Sequence, residues 1–169
     1  MLDANLEAGR GGKVALVGES GTLTYDDVAR LTARTAAMLT ELGVGREDRV
    51  LMVLDDSPVF HATFLGAIRI GAVPIPANPM DRPDNYAYYL DDSYADVVVA
   101  ESMLLDKLEP VLAERPRVQV LVANGDARGH TSFDAAVAGR PDELPPPADT
   151  HPDASFPGTK SRPRASTRR

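Results

Sequence analysis

The chain is 169 residues long, 43% hydrophobic but only 5% aromatic, and carries a formal net charge of −7. That length suits one domain with a real core, and the absence of cysteine excludes a disulfide framework, a thiolate metal site and a cysteine nucleophile. The charge is uneven: residues 157–169 hold five cations and no acid, which leaves 13 bases against 25 acids, a net −12, in the rest, so no nucleic-acid partner is expected of a body without a basic surface.

Met1 is followed by Asp3, Asn5 and Glu7 instead of a basic stretch and an apolar run, and no apolar stretch approaches the roughly 18 residues a bilayer requires. A cytoplasmic location without a membrane partner is expected. The glycines of GRGGKV (Gly9, Gly11, Gly12) precede a possible strand but open no helix, so they do not form a dinucleotide fingerprint. From Gly21 the chain reads as a turn and then a helix. Thr24 precedes Tyr25-Asp26-Asp27 as a capping box, Val28, Leu31, Ala36, Leu39 and Leu42 form a helical stripe, and Gly43 supplies the stop. Arg49 to Leu54 is continuously apolar after its first residue, as in a strand covered on both faces of a parallel sheet.

Ser57 as N-cap and Pro58 at the first helical position start a second helix, which runs to Gly71. Ala72 to Pro76, with two prolines, suits an edge strand or a rigid extended connector. A helix over 84–92, a strand over 97–100, a helix over 102–112 and a strand over 118–122 follow, then a weak helix over 132–138. Alternation of helices with short apolar strands predicts an α/β fold with a largely parallel sheet and flanking helices, whose ligands sit at the carboxyl ends of the strands. Residues 139–153 are proline-rich and acidic and read as a linker or surface loop, which sets a globular part at 1–138 and a linker and basic tail at 139–169. There is no internal repeat.

Candidate chemistry is sparse. Asp55 and Asp56 stand between a buried strand and a helix start, where α/β enzymes place working carboxylates, but service to the turn and the helix dipole explains them as well. Asp91 and Asp92 read as the solvated end of a helix. His61, His130 and His151 are too scattered for a local metal pattern, and Ser57 lacks a nucleophile elbow. Tyr86, Tyr88, Tyr89 and Tyr94 form either a stacking platform or, on the simpler reading, packing against the sheet. The residues alone predict no catalytic group and no metal site.

The segment order carries a resemblance. Thr24-Tyr25-Asp26-Asp27-Val28, the lead Gly43-Val44 to Asp48-Arg49-Val50, the string GAIRIGAVPIPANP from Gly66 to Pro79, and YAYYLDDSYADVVVAE resemble the N-terminal region of the adenylate-forming enzymes, the acyl-CoA synthetase superfamily, over about residues 5–123. NLEAGRGGKVAL, GAIRIGAVPIPAN and YAYYLDDS resemble the benzoate-CoA ligase branch. The resemblance implies a partial N-terminal subdomain of that fold and a two-step reaction. An aromatic carboxylic acid and Mg-ATP give an acyl-adenylate and pyrophosphate, and the thiol of coenzyme A then displaces AMP. It also implies a Gly-rich phosphate loop near the end of this chain. There PGTKSRPRA keeps Gly158, Thr159 and Arg164 as candidate nucleotide contacts, but Lys160 and Ser161 stand where the family has Thr and Gly. The tail from 157, without Val, Ile, Leu or Met, resembles a high-GC coding sequence read out of frame. The expectation is a truncated acyl-CoA ligase, inactive alone and prone to self-association through exposed apolar surface. The alternative is a non-catalytic α/β binding module.

Overall fold

The computed structural model describes residues 2–18 and 21–150. A short helix α1 (Leu2–Glu7) leads into a two-stranded antiparallel hairpin, β1 (Val14–Gly18) and β2 (Gly21–Thr24). The pairing of Leu16 with Leu23 and Val17 with Thr22 makes the segment from Gly21 a strand and not the turn expected from sequence. Its register is set by a partner several residues away, which local turn chemistry does not reveal.

α2 (Tyr25–Glu41) begins where Thr24 predicts. The Thr24 hydroxyl accepts from the Asp27 N–H at 3.2 Å and the Asp27 carboxylate accepts from the Thr24 N–H at 2.9 Å, a complete capping box. β3 (Arg49–Val53), α3 (Pro58–Arg69) and β4 (Val73–Pro76) follow. Gly43 and Gly71, with φ of 87° and 80°, take the left-handed positions just past α2 and α3. α4 (Pro83–Ser93), β5 (Val97–Glu101), a 3-10 turn (Ser102–Leu104), α5 (Leu105–Ala113), β6 (Gln119–Ala123), β7 (Thr131–Ser132) and α6 (Phe133–Val137) complete the order. The helix expected from Ser102 thus opens as a 3-10 turn, and β7 is too short to leave a periodic signal.

β3 to β7 form one parallel sheet in the order β4-β3-β5-β6-β7. β4 is the edge strand its two prolines require, since neither can donate to a neighbour. Successive strand residues face opposite sides. Val50 and Met52 of β3, Val97 and Val99 of β5 and Leu121 of β6 pack with Met38 and Leu39 of α2, Val59 and Ala67 of α3 and Phe133 of α6. Leu51, Val53, Val98, Ala100, Val120 and Val122 pack on the other side with Tyr86 and Leu90 of α4 and Leu105, Leu108 and Leu112 of α5. Each face is covered by helices, so the continuous apolar runs are buried on both sides.

The chain leaves β3 outward to β4 through α3 and returns past β3 to β5 through α4, on the opposite face. Right-handed crossovers require that change of face when the direction reverses. The reversal makes the gap between β3 and β5 the topological switch point, and its carboxyl edge is where this architecture seats ligands.

Candidate functional site

At that edge the sequence places acids. Asp55 and Asp56 follow the buried end of β3 and are exposed. Ser57 caps α3, its hydroxyl accepting from the Phe60 N–H at 3.3 Å. His61, one turn into α3, has Nδ1 2.9 Å from the Ser57 carbonyl and 3.7 Å from an Asp56 carboxylate oxygen, a half-buried helical residue.

Glu101 ends β5 and is only 4% exposed. Its Oε2 accepts from the Asn124 side-chain amide at 2.8 Å, whereas Oε1 has no hydrogen-bond partner among the described residues. Asn124 lies just past β6 with φ of 55°, a left-handed position that Asn tolerates, and so turns its amide back toward β5. The Ser102 hydroxyl donates to the Asp126 carbonyl at 2.7 Å. Gly125 packs so close to Ser102 that a Cβ there would stand 2.8 Å from the serine side chain. Loss of solvent on burial raises the Glu101 pKa above the ordinary glutamate range; the Asn124 amide opposes this, the Asp55 charge adds to it, and the Asp55 backbone N–H opposes it. The acids at this edge can take a proton or accept a hydrogen bond.

Sequence reasoning passed over Glu101, although it stands directly after the apolar run Val97–Ala100, where an acid inside a buried strand is the available signal. Asp91 is not simply a solvated helix end: its carboxylate accepts from Arg115 Nε at 3.0 Å and Nη2 at 2.7 Å, and this hydrogen bonding to Arg115 holds its pKa below the usual aspartate range. The tyrosines divide. Tyr86 is buried with its hydroxyl donating to the Asn78 carbonyl at 2.9 Å, Tyr89 donates to Asp81 at 2.8 Å, and Tyr88 and Tyr94 are exposed. No shared stacking platform results. Gly11 gives room to the start of α2, since a Cβ there would overlap the Asp26 carboxylate.

A cavity of about 300 Å³ opens at the opposite, amino edge, between Leu42, Arg49, Tyr94, Arg117 and Gln119. Arg49 is already engaged there, with Nε donating to the Ser93 carbonyl and Nη1 to the Glu47 carbonyl. Among the described residues no group of three or more His, Asp or Glu is placed to hold a metal ion, and no helix is long and apolar enough to cross a membrane. Gly158, Thr159, Arg164 and His151 lie outside the described residues.

Residues 3–156 match the model of the AMP-binding enzyme family. The chain is 39% identical over 130 residues to a 4-hydroxybenzoate–CoA/benzoate–CoA ligase of Rhodopseudomonas palustris, covering 77% of this chain and 24% of that protein. It is also 39% identical over 154 residues to a benzoate–CoA ligase of Thauera aromatica, covering 90% and 29%. Among solved structures it superimposes on an anthranilate CoA ligase in complex with anthranoyl-AMP with a TM-score of 0.81 at 26% identity, over 89% of this chain and 28% of that one. A benzoate CoA ligase from Burkholderia xenovorans gives 0.74 at 30% identity, over 87% and 28%. The chain therefore spans about a quarter of the length of the relatives it matches.

Proposed function

The chain belongs to the AMP-binding enzyme family, and from that premise we propose that it is the N-terminal α/β scaffold of an AMP-forming ligase joining an aromatic carboxylic acid to coenzyme A. The observation that carries the reading is the 39% identity, over 77% and 90% of the chain, to ligases named for hydroxybenzoate and benzoate. The TM-score of 0.81 against a ligase holding an aromatic acyl-adenylate supports it.

In such a reaction ATP supplies the activating adenylyl group, and charge gathers on the departing phosphates, which calls for oriented donors and cations. The carboxyl edge of this chain does not fit that demand, because it presents Asp55, Asp56 and the half-paired Glu101. No step through the nucleotide is assigned to it. On this reading the described residues supply a stiff parallel sheet and its crossover helices, and the 169-residue chain does not turn over. Incubation of the purified chain with benzoate, Mg-ATP and coenzyme A is expected to yield no benzoyl thioester above an enzyme-free control. Thioester formation at the rate of an intact ligase would sink the proposal.

One observation favours a second reading, a non-catalytic binding module: both sheet faces are already covered by this chain's own helices. A monomeric chain with a single cooperative melt supports it, and aggregation or a broad, non-cooperative transition opposes it.

A further inference from the structure

We infer that the outer face of α3 is a buried contact surface in an intact ligase, covered by an apolar surface of the part that this chain does not span, an assignment that rests on the ligase reading. α3 buries Val59, Ala62, Thr63, Gly66 and Ala67 against the rest of the fold. At 3.6 residues per turn, the face turned away from them carries His61, Phe64, Leu65 and Ile68, spaced i, i+3, i+4 and i+7. Phe64 and Leu65 are half-buried and Ile68 is 46% exposed. The Phe60 and Phe64 rings stack at 6.2 Å and rest on the core beneath them.

This face differs in kind from those of the other long helices. α2 exposes Asp26, Arg30 and Glu41, α4 exposes Asp84 and Asp92, and α5 exposes Asp106 and Glu109. α3 has no charged residue before Arg69, and Arg69 turns aside to the Asp3 carboxylate and the Pro145 carbonyl. A helix at a solvated surface pairs an apolar stripe with a charged face, whereas a helix that is apolar all round is buried on every side. α3 therefore has the residue pattern of an inner helix and, in this chain, the position of an outer one.

The relatives supply the occupant. The match covers 24% and 29% of the two ligases named for benzoate, so most of such an enzyme lies outside this chain and can provide the cover that α3 lacks here. The chemistry of the cover follows from the face. It carries no lysine, arginine, aspartate or glutamate, so a charged surface laid on it would give up hydration without gaining a counter-charge. Its one polar side chain, His61, already has Nδ1 2.9 Å from the Ser57 carbonyl. An apolar surface loses nothing of this kind and gains the burial of Phe64, Leu65 and Ile68.

The test compares Ile68→Lys in the free full chain with the same change in a chimera whose residues 2–123 replace the matching part of the Thauera aromatica benzoate–CoA ligase. A cation near the C-terminus of α3 is tolerated by the helix dipole. At a concentration where the free chain is monomeric, its Tm is expected to move by no more than about 2 °C. In the chimera, where the cation is driven into an apolar contact, Tm should fall by several degrees. Ile68→Leu and, on the solvated face of α5, Glu109→Gln should change neither. Equal shifts in the two proteins overturn the proposal, as does a chimera that fails to fold although the free chain melts cooperatively. Dimerisation of the free chain abolished by Ile68→Lys, with equal shifts in monomer and chimera, also overturns it and makes the occupant a second copy. Benzoyl-CoA formation by the chimera reports on the ligase reading separately, so equal shifts in an active chimera remove the contact surface and leave that reading standing.

Discussion

Gly66 stands where α3 crosses α2, and its missing side chain is what lets the two helices touch. A Cβ at this position would meet Ala36 N at 3.1 Å and Thr32 O and Thr35 Cβ at 3.3 Å, two of the three being backbone atoms of α2. In an exposed helix, glycine to alanine gains about 1 kcal/mol; here the overpacking cost, about 1–3 kcal/mol, outweighs that gain. Gly66→Ala is therefore expected to lower stability by about 1 kcal/mol in denaturant melts, and a stabilised variant would mean that α2 gives way. Glu101 makes the opposite case, a side chain present where the fold would be better without its charge. Burial raises its folded pKa above its unfolded value, so stability is intact below the ordinary glutamate range and falls as pH rises through the raised value. Glu101→Gln keeps an acceptor for the Asn124 amide and cannot ionise. The Tm of the variant relative to the parent should climb between pH 4 and pH 8. A flat difference would place Glu101 in a well-solvated environment.

Capping fixes where α2 starts, while its buried face holds it to the sheet. Thr24→Ala removes a hydroxyl that accepts from the Asp27 N–H, at an expected cost of about 1 kcal/mol near neutral pH. The Thr24 side chain, with its backbone N–H, also holds the Asp27 pKa below the usual aspartate range. A depressed carboxylate stabilises above its unfolded pKa and loses that contribution as pH falls, so the penalty of Thr24→Ala should shrink toward pH 3, as paired melts at the two pH values would record. The same local chemistry explains which elements were legible in the sequence. Thr24, Ser57 and Pro58 mark their helix starts by contacts within three residues, and the apolar runs of β3, β5 and β6 announce burial on both faces. The β1–β2 pairing and the two-residue β7 depend on register with partners that no local pattern specifies. Glu101 was illegible as a site for a related reason: its meaning comes from Asn124, 23 residues on, and from Asp55, just past the end of the neighbouring strand β3.

Across the whole molecule the irregular segment after α6 is tied to the helices of one face. Arg69, at the end of α3 and with a side chain only 13% exposed, donates from Nη1 to both Asp3 carboxylate oxygens at 2.6 and 2.7 Å and from Nε to the Pro145 carbonyl. The Ala148 N–H donates to the Arg69 carbonyl at 2.9 Å, Arg34 pairs with Asp142, and Arg140 with Glu41 at 2.6 Å. One guanidinium thus joins the first helix to residue 145. Arg69→Met should speed amide exchange in 2–7 and 144–148 while leaving β3, β5 and β6 protected; unchanged exchange would show that the remaining contacts suffice. The central claim, that these residues are the scaffold of an aromatic-acid ligase, is tested most directly by a graft. Residues 2–123 of this chain would replace the matching part of the Thauera aromatica benzoate–CoA ligase, and benzoyl-CoA formation would be measured. The account predicts a folded graft that makes the thioester from benzoate, ATP and coenzyme A, whereas a folded graft without ligase activity would contradict it.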